Sequence, residues 1–456
     1  MNHFFAPCPR GLEETLASEL RTLEILNPVI AAGGVAFAGD LGQAARVNLW
    51  SRIASRVLLR VAHARYRTER DVHALAKTVR WPEHFDVNRT IRVDTVGTQS
   101  PVKSLDFVTL TVKDAVCDVF RDAGGERPSV DKNADVRIHV HLDATHATLY
   151  LDTSGEPLFM RGYRSDTGQA PIRENLAAGI LALSGWQPGQ VLYDPMCGSG
   201  TFLIEAALIE RGIAPGAIPG IERHFGFERL SAFAPDARAT AAAYHPRSLS
   251  SNVLQAPLPE EGLPARLFGS DILGDMTALT LRNAAKAGVA DWIATKQGNF
   301  LELKAPAPSG VLIANPPYGE RLAGDRLRTA VPARREESRD QRQGPRRERI
   351  PSRDASRRHD NPRAAPVNAI PGIGEDPVLA ALYPQIGDHL KKNYAGWHTQ
   401  WFTGDLRFGK LVGLKPTRKI VLYNGNIECR LFEVPVMAGS ARGKAETGEA
   451  TTQQNP

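Results

Sequence analysis

Hydrophobic and polar positions in the first 155 residues follow two different periods. Four leucines from Leu12 to Leu23 recur every three or four residues, and residues 104–125 show the same helical period before a pair of glycines. Residues 90–98 and 134–155 instead alternate apolar with polar side chains, which is typical of half-buried strands. Helices and strands mixed in this way predict an α+β fold for this part of the chain.

From about residue 171, short apolar runs alternate with helical segments. The runs carry the pattern of buried strands. The predicted strands are residues 190–195, 266–272, 294–300 and 311–317. Helices are predicted at residues 171–186, 200–212, 275–289 and 376–394. This alternation predicts an α/β domain built on a doubly wound parallel sheet.

An arginine-rich tract interrupts the second pattern at residues 323–375. It has almost no large apolar side chains, and residues 326–358 hold 12 arginines against five acidic residues. That excess of seven positive charges is larger than the net charge of +6 for the whole chain, so the pI of 9.1 is the property of this one segment. We predict that the tract and the polar tail at residues 438–456 are disordered. The tract is either a tolerated loop or a tether that holds RNA through salt-sensitive contacts.

Composition narrows the class of protein. The chain of 456 residues is too long for one ordinary core and predicts several domains. Apolar residues make up 42% and charged residues 23%, as in globular proteins, and no run of about 18 apolar residues predicts a membrane span. The four cysteines are scattered without a CxxC pair, and the histidines lack metal-ligand spacing. We therefore expect a reducing cytoplasm, no metal and no membrane partner.

A Gly-Ser-Gly turn stands between a predicted strand and the helix that follows it. Its candidate cofactor contacts are Asp194, Pro195, Cys197, Gly198, Gly200 and Thr201. Glycines let the backbone approach a ligand closely, and a helix N-terminus favours an anionic group. A phosphate-binding P-loop would need a Gly-Lys-Ser/Thr ending, and a dinucleotide fingerprint would need a glycine where Leu203 stands. The third alternative is S-adenosylmethionine, which has no phosphate. This cofactor needs a loop that binds its methionine end and an acidic side chain that binds its ribose.

Later strand ends supply further candidate cofactor contacts. Asp271 and Ile272 end one predicted strand, where a carboxylate can accept from both ribose hydroxyls, although a lone aspartate there is more often a helix cap. Asn299 and Phe300 end the next strand, where an amide can reach the edge of adenine and a ring can pack on its face. Phe300 by itself is more often a core residue. The order of the acidic loop and these strand ends favours S-adenosylmethionine.

A rigid turn follows the last predicted strand of this series. Asn315, Pro316, Pro317 and Tyr318 stand directly after the apolar run, and the two prolines remove two backbone donors and fix two φ angles. The turn is either simply stiff, or it holds Asn315 and Tyr318 in one geometry for chemistry. Asn315 is also a candidate cofactor contact.

Several motifs resemble those of known families. DPMCGSGT at 194–201 and NPPYGERL at 315–322 resemble motifs of class I S-adenosylmethionine-dependent methyltransferases that act on amino nitrogens. FVTLTVKDAVCDVFR and the strands after it resemble a THUMP domain, an RNA-binding module, preceded by a ferredoxin-like element. LDTSGEPLFMRGYR, PIRENLAAGIL, IERHFGFERL and LKPTRKIVLYNGNIECRLF resemble bacterial large-subunit ribosomal RNA guanine-N2 methyltransferases. Some relatives carry a second, fused methyltransferase domain, which we expect this chain to lack.

The resemblance implies a domain order and a function. It implies a ferredoxin-like element at residues 1–60, a THUMP domain at 61–155 and a Rossmann-like methyltransferase domain at 160–437. It also implies S-adenosylmethionine as cofactor, RNA as partner, and the N2 of a guanine in large-subunit (23S) ribosomal RNA as acceptor. The NPPY turn serves other amino nitrogens in the wider family. A transfer-RNA guanine-N2 methyltransferase and an inactive RNA-binding assembly factor therefore remain alternatives.

The NPPY turn suits a weakly nucleophilic amine, since the lone pair of guanine N2 delocalises into the ring. The side-chain oxygen of Asn315 and the carbonyl of Pro316 can each accept one amine hydrogen and steer the lone pair toward the methyl donor. The prolines stiffen the carbonyls, and Tyr318 offers a face on which a flipped base can stack. A covalent C5-pyrimidine methyltransferase would need a cysteine beside the base, whereas Cys197 stands in the cofactor loop.

Five further residues are candidate substrate contacts. Arg52, Arg56 and Arg60 recur every four residues in a segment predicted to be a helix running into a strand. They either form a solvated helix side or contact RNA phosphates. Arg173 and Asn175 stand at the start of the helix predicted at 171–186, where they would border the cofactor or the base.

Overall fold

The computed structural model describes residues 1–164, 172–244, 266–316 and 377–437. Within these ranges the chain forms two seven-stranded sheets, one before and one after residue 155. The expected order, an α+β region followed by a doubly wound α/β region, is confirmed. The tracts 323–375 and 438–456, which we predict to be disordered, lie outside the described residues.

The N-terminal sheet combines antiparallel strands with helices. Its strands are β1 (Asn2–Pro7), β2 (Val29–Ala31), β3 (Gly34–Gly39), β4 (Leu58–Arg65), β5 (Ile91–Gly97), β6 (Val136–Leu142) and β7 (His146–Asp152). The helices of this region are α1 (Glu13–Thr22), α2 (Leu41–Trp50), α3 (Glu69–Lys77) and α4 (Leu105–Gly124). The strand order is β2-β3-β1-β4-β7-β6-β5, and all neighbours are antiparallel except β5 and β6.

Strand β4 lies at the centre of this sheet and joins its two halves. It pairs with β1 on one side and with β7 on the other. Residue 60, the predicted end of the ferredoxin-like element, lies inside this strand. The two halves of the N-terminal region therefore share a continuous backbone hydrogen-bond ladder.

Helix ends in the N-terminal region follow from local side chains. Asp40 caps α2 by accepting from the Gln43 N–H at 2.7 Å, while the Gln43 side chain accepts from the Asp40 N–H at 3.0 Å. The Ser104 hydroxyl accepts from the Phe107 N–H and starts α4. Gly125, at φ +82°, ends α4 in the left-handed conformation, which confirms the glycine stop expected from the sequence.

The second sheet is mainly parallel. Its strands are β8 (Leu192–Asp194), β9 (Leu267–Asp271), β10 (Ile293–Gln297), β11 (Val311–Ala314), β12 (His398–Thr403), β13 (Arg418–Asn424) and β14 (Ile427–Pro435). The helices of this region are α5 (Glu174–Leu183), α6 (Thr201–Glu210), α7 (Ala237–Ala243), α8 (Gly274–Lys286), α9 (Pro377–Asn393) and α10 (Phe408–Leu411). The parallel part consists of five strands, and the hairpin of β13 and β14 adds an antiparallel edge.

The strand order of this sheet reverses at β8. The order is β10-β9-β8-β11-β12-β14-β13, so the chain moves from β8 outward to β9 and β10 and then returns to the other side of β8 with β11. In open sheets of parallel strands, ligands bind outside the carboxyl ends of the strands at such a reversal. Asp194, Asp271 and Asn315 stand at or just after three of these ends.

The two sheets are joined by polar and close apolar contacts. The Asn175 amide on α5 donates to the Ile53 carbonyl at 3.2 Å and to the Ser55 hydroxyl at 3.0 Å. Gly179 on the same helix faces Leu12, and an added Cβ there would lie 2.3 Å from the leucine side chain. None of the helices in the described ranges has the length and apolarity needed to cross a membrane.

Candidate active site

The loop between β8 and α6 depends on two glycines. Gly198 has φ +53° and Gly200 has φ +82°, a region that side chains with a Cβ rarely adopt. Gly200 is the residue that precedes the first turn of α6, and a Cβ added to it would lie 2.6 Å from the Thr280 Cγ2 atom. The loop therefore passes too close to α8 for any residue except glycine at position 200.

Helix α8 supports this loop from behind with two side chains. The Thr280 hydroxyl donates to the Gly198 carbonyl at 2.9 Å, and the Asn283 amide donates to the Ser199 carbonyl at 3.0 Å. Our sequence analysis missed both residues. The available signal was a row of polar residues at Thr277, Thr280 and Asn283, whose spacing of three places them on the buried side of a helix.

Two carboxylates meet at the carboxyl ends of β8 and β9. Asp194 is 2% exposed, and one of its oxygens accepts from the Met196 N–H at 3.1 Å. Asp271 accepts from the Gly198 N–H at 3.1 Å and from the Leu273 N–H at 3.0 Å. Asp271 thus fixes the glycine loop with one oxygen and closes its own turn with the other.

Within the described ranges, no cationic side chain balances the charge of these carboxylates. Burial, and to a smaller extent the negative charge of Asp271, raise the pKa of Asp194 to about 8, although the bond from the Met196 N–H opposes the effect. Burial also raises the pKa of Asp271, although bonds to backbone N–H groups oppose the effect. Neither carboxylate forms a salt bridge with a lysine, arginine or histidine of the described ranges. A positively charged ligand would lower the pKa of both groups.

The other predicted contacts around the loop are engaged within the protein. The Pro195 carbonyl accepts from the Ser270 hydroxyl at 3.1 Å, and the Ile272 carbonyl lies 3.4 Å from the amide nitrogen of Gln297. The Thr201 hydroxyl accepts from the Arg164 guanidinium at 2.8 Å. These bonds hold the ends of β8 and β9 and the start of α6 in one arrangement.

Asn299 and Phe300 follow β10 but differ in exposure. The Asn299 side chain accepts from the Leu301 N–H at 3.1 Å and caps a short turn. The Phe300 ring is only 4% exposed and packs at 5.5 Å from the Tyr394 ring and 6.0 Å from the Trp401 ring. We therefore assign this ring to the hydrophobic core and no longer expect it to pack on a cofactor base, because aromatic side chains enclose it.

The predicted catalytic turn begins at the end of β11. Leu312 pairs with Tyr193, so Asn315 lies just beyond the level of Asp194 on the neighbouring strand. Asn315 is half-buried and Pro316 is buried. Pro317 and Tyr318 lie outside the described residues. The structure thus brings the start of the turn to the same sheet edge as Asp194 and Asp271.

Cys197 is packed inside the loop. It is 6% exposed, its backbone N–H donates to the Ser270 carbonyl at 2.9 Å, and the Thr280 hydroxyl lies 3.5 Å from its sulfur. Burial, and then the charge of Asp194, raise the pKa of this thiol above its ordinary value. A thiol held in its neutral form suits a packing role and not a nucleophile. Among the described residues, no three His, Cys, Asp or Glu side chains come together as a metal site would require.

Two of the three arginines predicted to line one helix side are used inside the protein. Helix α2 ends at Trp50 and β4 begins at Leu58, so the spacing of four does not lie on one helix. Arg52 donates to the Leu208 and Ile213 carbonyls at 3.3 and 2.8 Å, and burial lowers its pKa to about 10.

Arg56 forms a salt bridge with the buried carboxylate of Asp152. Neither Arg52 nor Arg56 is available for the predicted contact with RNA. Arg60, on β4, makes no salt bridge within the described residues and remains on the surface of the N-terminal sheet.

The two candidate substrate contacts at the start of α5, Arg173 and Asn175, differ in their exposure to solvent. Asn175 is fully buried and binds the N-terminal region, as described above, so the predicted contact with cofactor or base is wrong for its side chain. Arg173 is exposed, and its guanidinium carbon lies 4.8 Å from the centre of the Phe159 ring. Arg173 also lines a small cleft with Arg10 and Tyr423, between the N-terminal region and the β13–β14 hairpin.

Comparisons with known families agree with this architecture. A family described as "RMKL-like, methyltransferase domain" matches residues 161–330, one described as "RlmL ferredoxin-like domain" matches residues 3–58, and one described as "THUMP domain" matches residues 66–152. This chain carries a THUMP domain and an RMKL-like methyltransferase domain. The resemblance recognised in the sequence is thereby confirmed for both domains and for the ferredoxin-like element.

Curated relatives extend the match beyond the single domains. "Ribosomal RNA large subunit methyltransferase K/L" of Psychromonas ingrahamii is 34% identical over 438 residues, which cover 94% of this chain and 50% of the relative. The protein of the same name from Shewanella amazonensis is 34% identical over 444 residues, which cover 97% of this chain and 54% of the relative. The chain spans about half the length of the curated relatives it matches.

Solved structures share the fold over most of this chain. SMU.472 in complex with SAH superposes with a TM-score of 0.73 at 24% identity, over 95% of this chain and 98% of that one. A Listeria monocytogenes protein named "a predicted N6-adenine-specific DNA methylase" superposes with a TM-score of 0.72 at 26% identity, over 95% and 96% of the two chains. The names of these similar proteins give different acceptors: the curated relatives are named for large-subunit ribosomal RNA, and the Listeria protein is named for adenine in DNA.

Proposed function

We propose that this protein transfers a methyl group from S-adenosylmethionine to the N2 of a guanine in large-subunit ribosomal RNA, in the cytoplasm. The observation that carries the proposal is the edge of the second sheet, where the glycine loop, Asp271 and the Asn315–Pro316 turn stand at the ends of adjacent strands. This edge offers a cofactor loop and an acceptor clamp side by side. Analysis of the methylated nucleosides distinguishes this acceptor from the alternative ones.

The residues at this edge fit S-adenosylmethionine. The cofactor carries a sulfonium and an ammonium, and Asp194 and Asp271 are carboxylates without a cationic partner among the described residues. A ligand can approach the loop at Gly198, because a Cβ added there would have no heavy atom of the described residues beyond its chain neighbours within 4 Å. Asp271 would accept from the ribose, and Asn299 would reach the adenine edge from the next strand. The cofactor supplies an electrophilic methyl group.

The turn after β11 would orient the acceptor amine. The Asn315 side-chain oxygen and the Pro316 carbonyl would each accept one amine hydrogen, which directs the nitrogen lone pair toward the methyl group. Because Pro316 is fixed in φ, its carbonyl need not reorganise as charge develops on the nitrogen. The nitrogen–methyl bond forms as the sulfur–methyl bond breaks, and the nitrogen releases one proton to water. Pro317 and Tyr318 enter this proposal from the sequence alone.

The choice of acceptor rests on the domain order and on the relatives. A THUMP domain precedes the methyltransferase domain, and the relatives that match almost the whole chain are named for large-subunit ribosomal RNA. These names do not state the nitrogen that is methylated. Guanine N2 is our proposal from the sequence motifs at residues 151–164, 171–181, 221–230 and 414–432.

The test uses the full chain with S-adenosylmethionine and three unmodified RNAs in separate reactions: large ribosomal, small ribosomal and transfer RNA. After digestion to nucleosides, mass spectrometry with authentic standards identifies the methylated product. N2-methylguanosine in the large ribosomal RNA alone supports the proposal. The same product in transfer RNA would change the substrate, and N6-methyladenosine would change the base.

Cofactor binding separates an inactive protein from an unsuitable RNA. Calorimetry with S-adenosylmethionine should show one site per chain, and Asp271→Asn should weaken binding about tenfold or more, since a charged hydrogen bond to ribose is worth roughly 1.5–3 kcal/mol. Asp275→Asn is the matched control, because the Asp275 carboxylate is exposed in the first turn of α8, four residues after Asp271. Absence of any binding would support the inactive assembly factor instead.

A further inference from the structure

Helix α6 begins at the end of the glycine loop and is contacted by two arginines from the segment that follows β7. Arg164 donates to the Thr201 hydroxyl in the first turn of the helix at 2.8 Å. One turn later, two nitrogens of Arg161 each lie 3.5 Å from a carboxylate oxygen of Glu205. Thr201 and Glu205 are four residues apart, so both arginines approach the same face of α6. The proposed reaction assigns no role to either arginine.

The segment that carries these arginines comes directly from the N-terminal region. Strand β7 ends at Asp152, and residues 161–164 follow it with neither a helix nor a strand between them. Arg161 is 3% exposed and also donates to the Arg52 carbonyl at 2.6 Å. The Arg52 guanidinium in turn donates to the Leu208 carbonyl near the end of α6. The N-terminal region therefore contacts the helix of the cofactor loop through a buried set of arginines.

Arg164 joins three pieces of chain at the start of α6. Besides the Thr201 hydroxyl, its guanidinium binds the Ile172 carbonyl. Its Nε lies 3.1 Å from a carboxylate oxygen of Glu174, the first residue of α5. The exposed fraction is 12% for the Arg164 side chain and 7% for that of Glu174. A planar guanidinium has five N–H donors in a fixed arrangement, so one side chain can hold several acceptors in place.

The contact with Thr201 extends to the glycine loop. Thr201 is 3% exposed, directly follows Gly200, and has its hydroxyl 3.4 Å from the Ser199 hydroxyl. Within the same loop the Gly198 N–H donates to Asp271. A displacement of the first turn of α6 would therefore also displace the loop relative to Asp271. Charge-assisted hydrogen bonds resist such a displacement strongly when they are shielded from water.

We propose that Arg164 is a positioning residue of the cofactor site, which holds the start of α6 and thereby keeps the glycine loop in the geometry that binds S-adenosylmethionine. Arg164 acts through the Thr201 hydroxyl and not by contact with the cofactor. Because Arg164 lies on the segment that leaves the N-terminal region, cofactor affinity depends on the way this region is attached. The inference rests on the proposed function, since it deepens the description of the same cofactor site.

The experiment measures the affinity of the full chain for S-adenosylmethionine by calorimetry. Arg164→Gln should bind the cofactor about tenfold more weakly, because the loop loses a charged hydrogen bond that fixes its end. Arg211→Gln is the matched control: Arg211 stands directly after α6 and donates to the Gly288 carbonyl at 2.8 Å, at the end of the helix away from the loop. The control should stay within about twofold of the parent. An Arg164→Gln variant that binds like Arg211→Gln would overturn the proposal.

A double-mutant cycle tests whether Arg164 acts through Thr201. Thr201→Val removes the hydroxyl and nearly preserves the shape of the side chain. If the hydroxyl transmits the effect, the two losses do not add, and Arg164→Gln/Thr201→Val should bind the cofactor within about twofold of Arg164→Gln alone. Fully additive losses would mean that Arg164 affects the cofactor without Thr201, and they would overturn the positioning role.

A second variant removes the effect of an unpaired carboxylate. Burial raises the pKa of Glu174, and the positive charge of Arg164 opposes this effect. Arg164→Gln alone leaves this buried carboxylate without its cation, which destabilises the fold. Arg164→Gln/Glu174→Gln removes both charges, so it should regain thermal stability and still bind the cofactor about tenfold more weakly than the parent. Recovery of the parental affinity would overturn the proposal, since the loss would then belong to the unpaired carboxylate.

Kinetics separate a positioning role from a smaller folded fraction. With radiolabelled S-adenosylmethionine and large ribosomal RNA, Arg164→Gln should raise the KM for the cofactor about tenfold and leave kcat within about threefold, because the turn at Asn315 is unchanged. A lower kcat with an unchanged KM would overturn the proposal.

Calorimetry needs no acceptor, so failure of this inference is distinguishable from failure of the proposed function. Weaker cofactor binding by Arg164→Gln supports the inference even if no methylated nucleoside is found in any RNA. Methylated ribosomal RNA together with unchanged cofactor affinity in Arg164→Gln would retain the proposed function and remove this inference. A parent chain that does not bind the cofactor would remove both.

Discussion

Replacement of Asp194 by asparagine should stabilise the protein relative to the parent, and this gain in the free energy of unfolding should grow as the pH rises. The parent carboxylate is 2% exposed and lies next to a second carboxylate, so its ionised form is strongly disfavoured in the folded protein. Asparagine has nearly the same shape, keeps the oxygen that accepts from the Met196 N–H, and carries no charge. The substitution therefore removes the cost of ionisation and leaves the loop geometry in place.

The size of the effect follows from the two pKa values. The pKa of Asp194 is about 8 in the folded protein, and that of an unfolded aspartate is about 3.9. Between these values the unfolded chain has lost a proton that the folded chain keeps. This residue therefore lowers the free energy of unfolding by about 1.4 kcal/mol for each pH unit. The contribution stops growing above the folded pKa, and it vanishes below the unfolded one.

The assay is urea unfolding of parent and variant at pH 5, 6 and 7, followed by tryptophan fluorescence. The free energy of unfolding of Asp194→Asn minus that of the parent should increase by about 3 kcal/mol from pH 5 to pH 7. Asp275→Asn serves as the control, since this carboxylate is exposed at the start of α8. A difference between Asp194→Asn and the parent that stays constant across this range would refute the reasoning.

The same carboxylate links cofactor binding to proton release. A cationic ligand beside Asp194 favours the ionised form, so binding at pH 7 should release part of a proton. Calorimetry in two buffers with different ionisation enthalpies measures this number directly. The release should disappear in Asp194→Asn. Release that is equal in parent and variant would assign the proton to another group.

Three further substitutions test the loop, the thiol and the turn. Gly200→Ala should abolish measurable cofactor binding in calorimetry, because the new Cβ would collide with Thr280. The control is Gly185→Ala, since Gly185 has a similar φ but open space around it. This control should lower the free energy of unfolding by only about 1–2 kcal/mol, measured by thermal unfolding. Cys197→Ala should retain methyl transfer within about threefold in a radiolabel assay, since a buried neutral thiol is no nucleophile; complete loss with the fold intact would support covalent chemistry. Asn315→Ala should lower the methylation rate by about 100-fold or more through lost orientation while cofactor affinity stays within about fivefold; a rate like that of the parent would remove the amine clamp.

Strand ends were predictable because each carries its own local signal. Asp194, Asp271 and Asn315 all follow short apolar runs, and parallel strands deliver such residues to one edge without any knowledge of long-range packing. The helix stop at Gly125 was predictable for the same reason, since a left-handed C-terminal residue is a local requirement.

The roles of the arginines were not predictable from spacing. A period of four is meaningful only within one helix, and the chain leaves α2 at Trp50 before Arg52 is reached. Arg52 and Asn175 then find partners more than a hundred residues away, in the interface between the two halves of the molecule. No local pattern predicts such a contact, and the same holds for Phe300, whose aromatic neighbours are Tyr394, directly after α9, and Trp401 on β12.

The central position of β4 has a consequence for how this protein can be divided. Most of the strand, residues 59–65, lies in neither of the two flanking family matches, which end at residue 58 and begin at residue 66. A cut there would leave β1 and β7 each with an open edge of unpaired backbone groups, the kind of edge that recruits other chains and aggregates. The ferredoxin-like element and the THUMP domain therefore share one sheet across β4, and we expect them to fold as one unit.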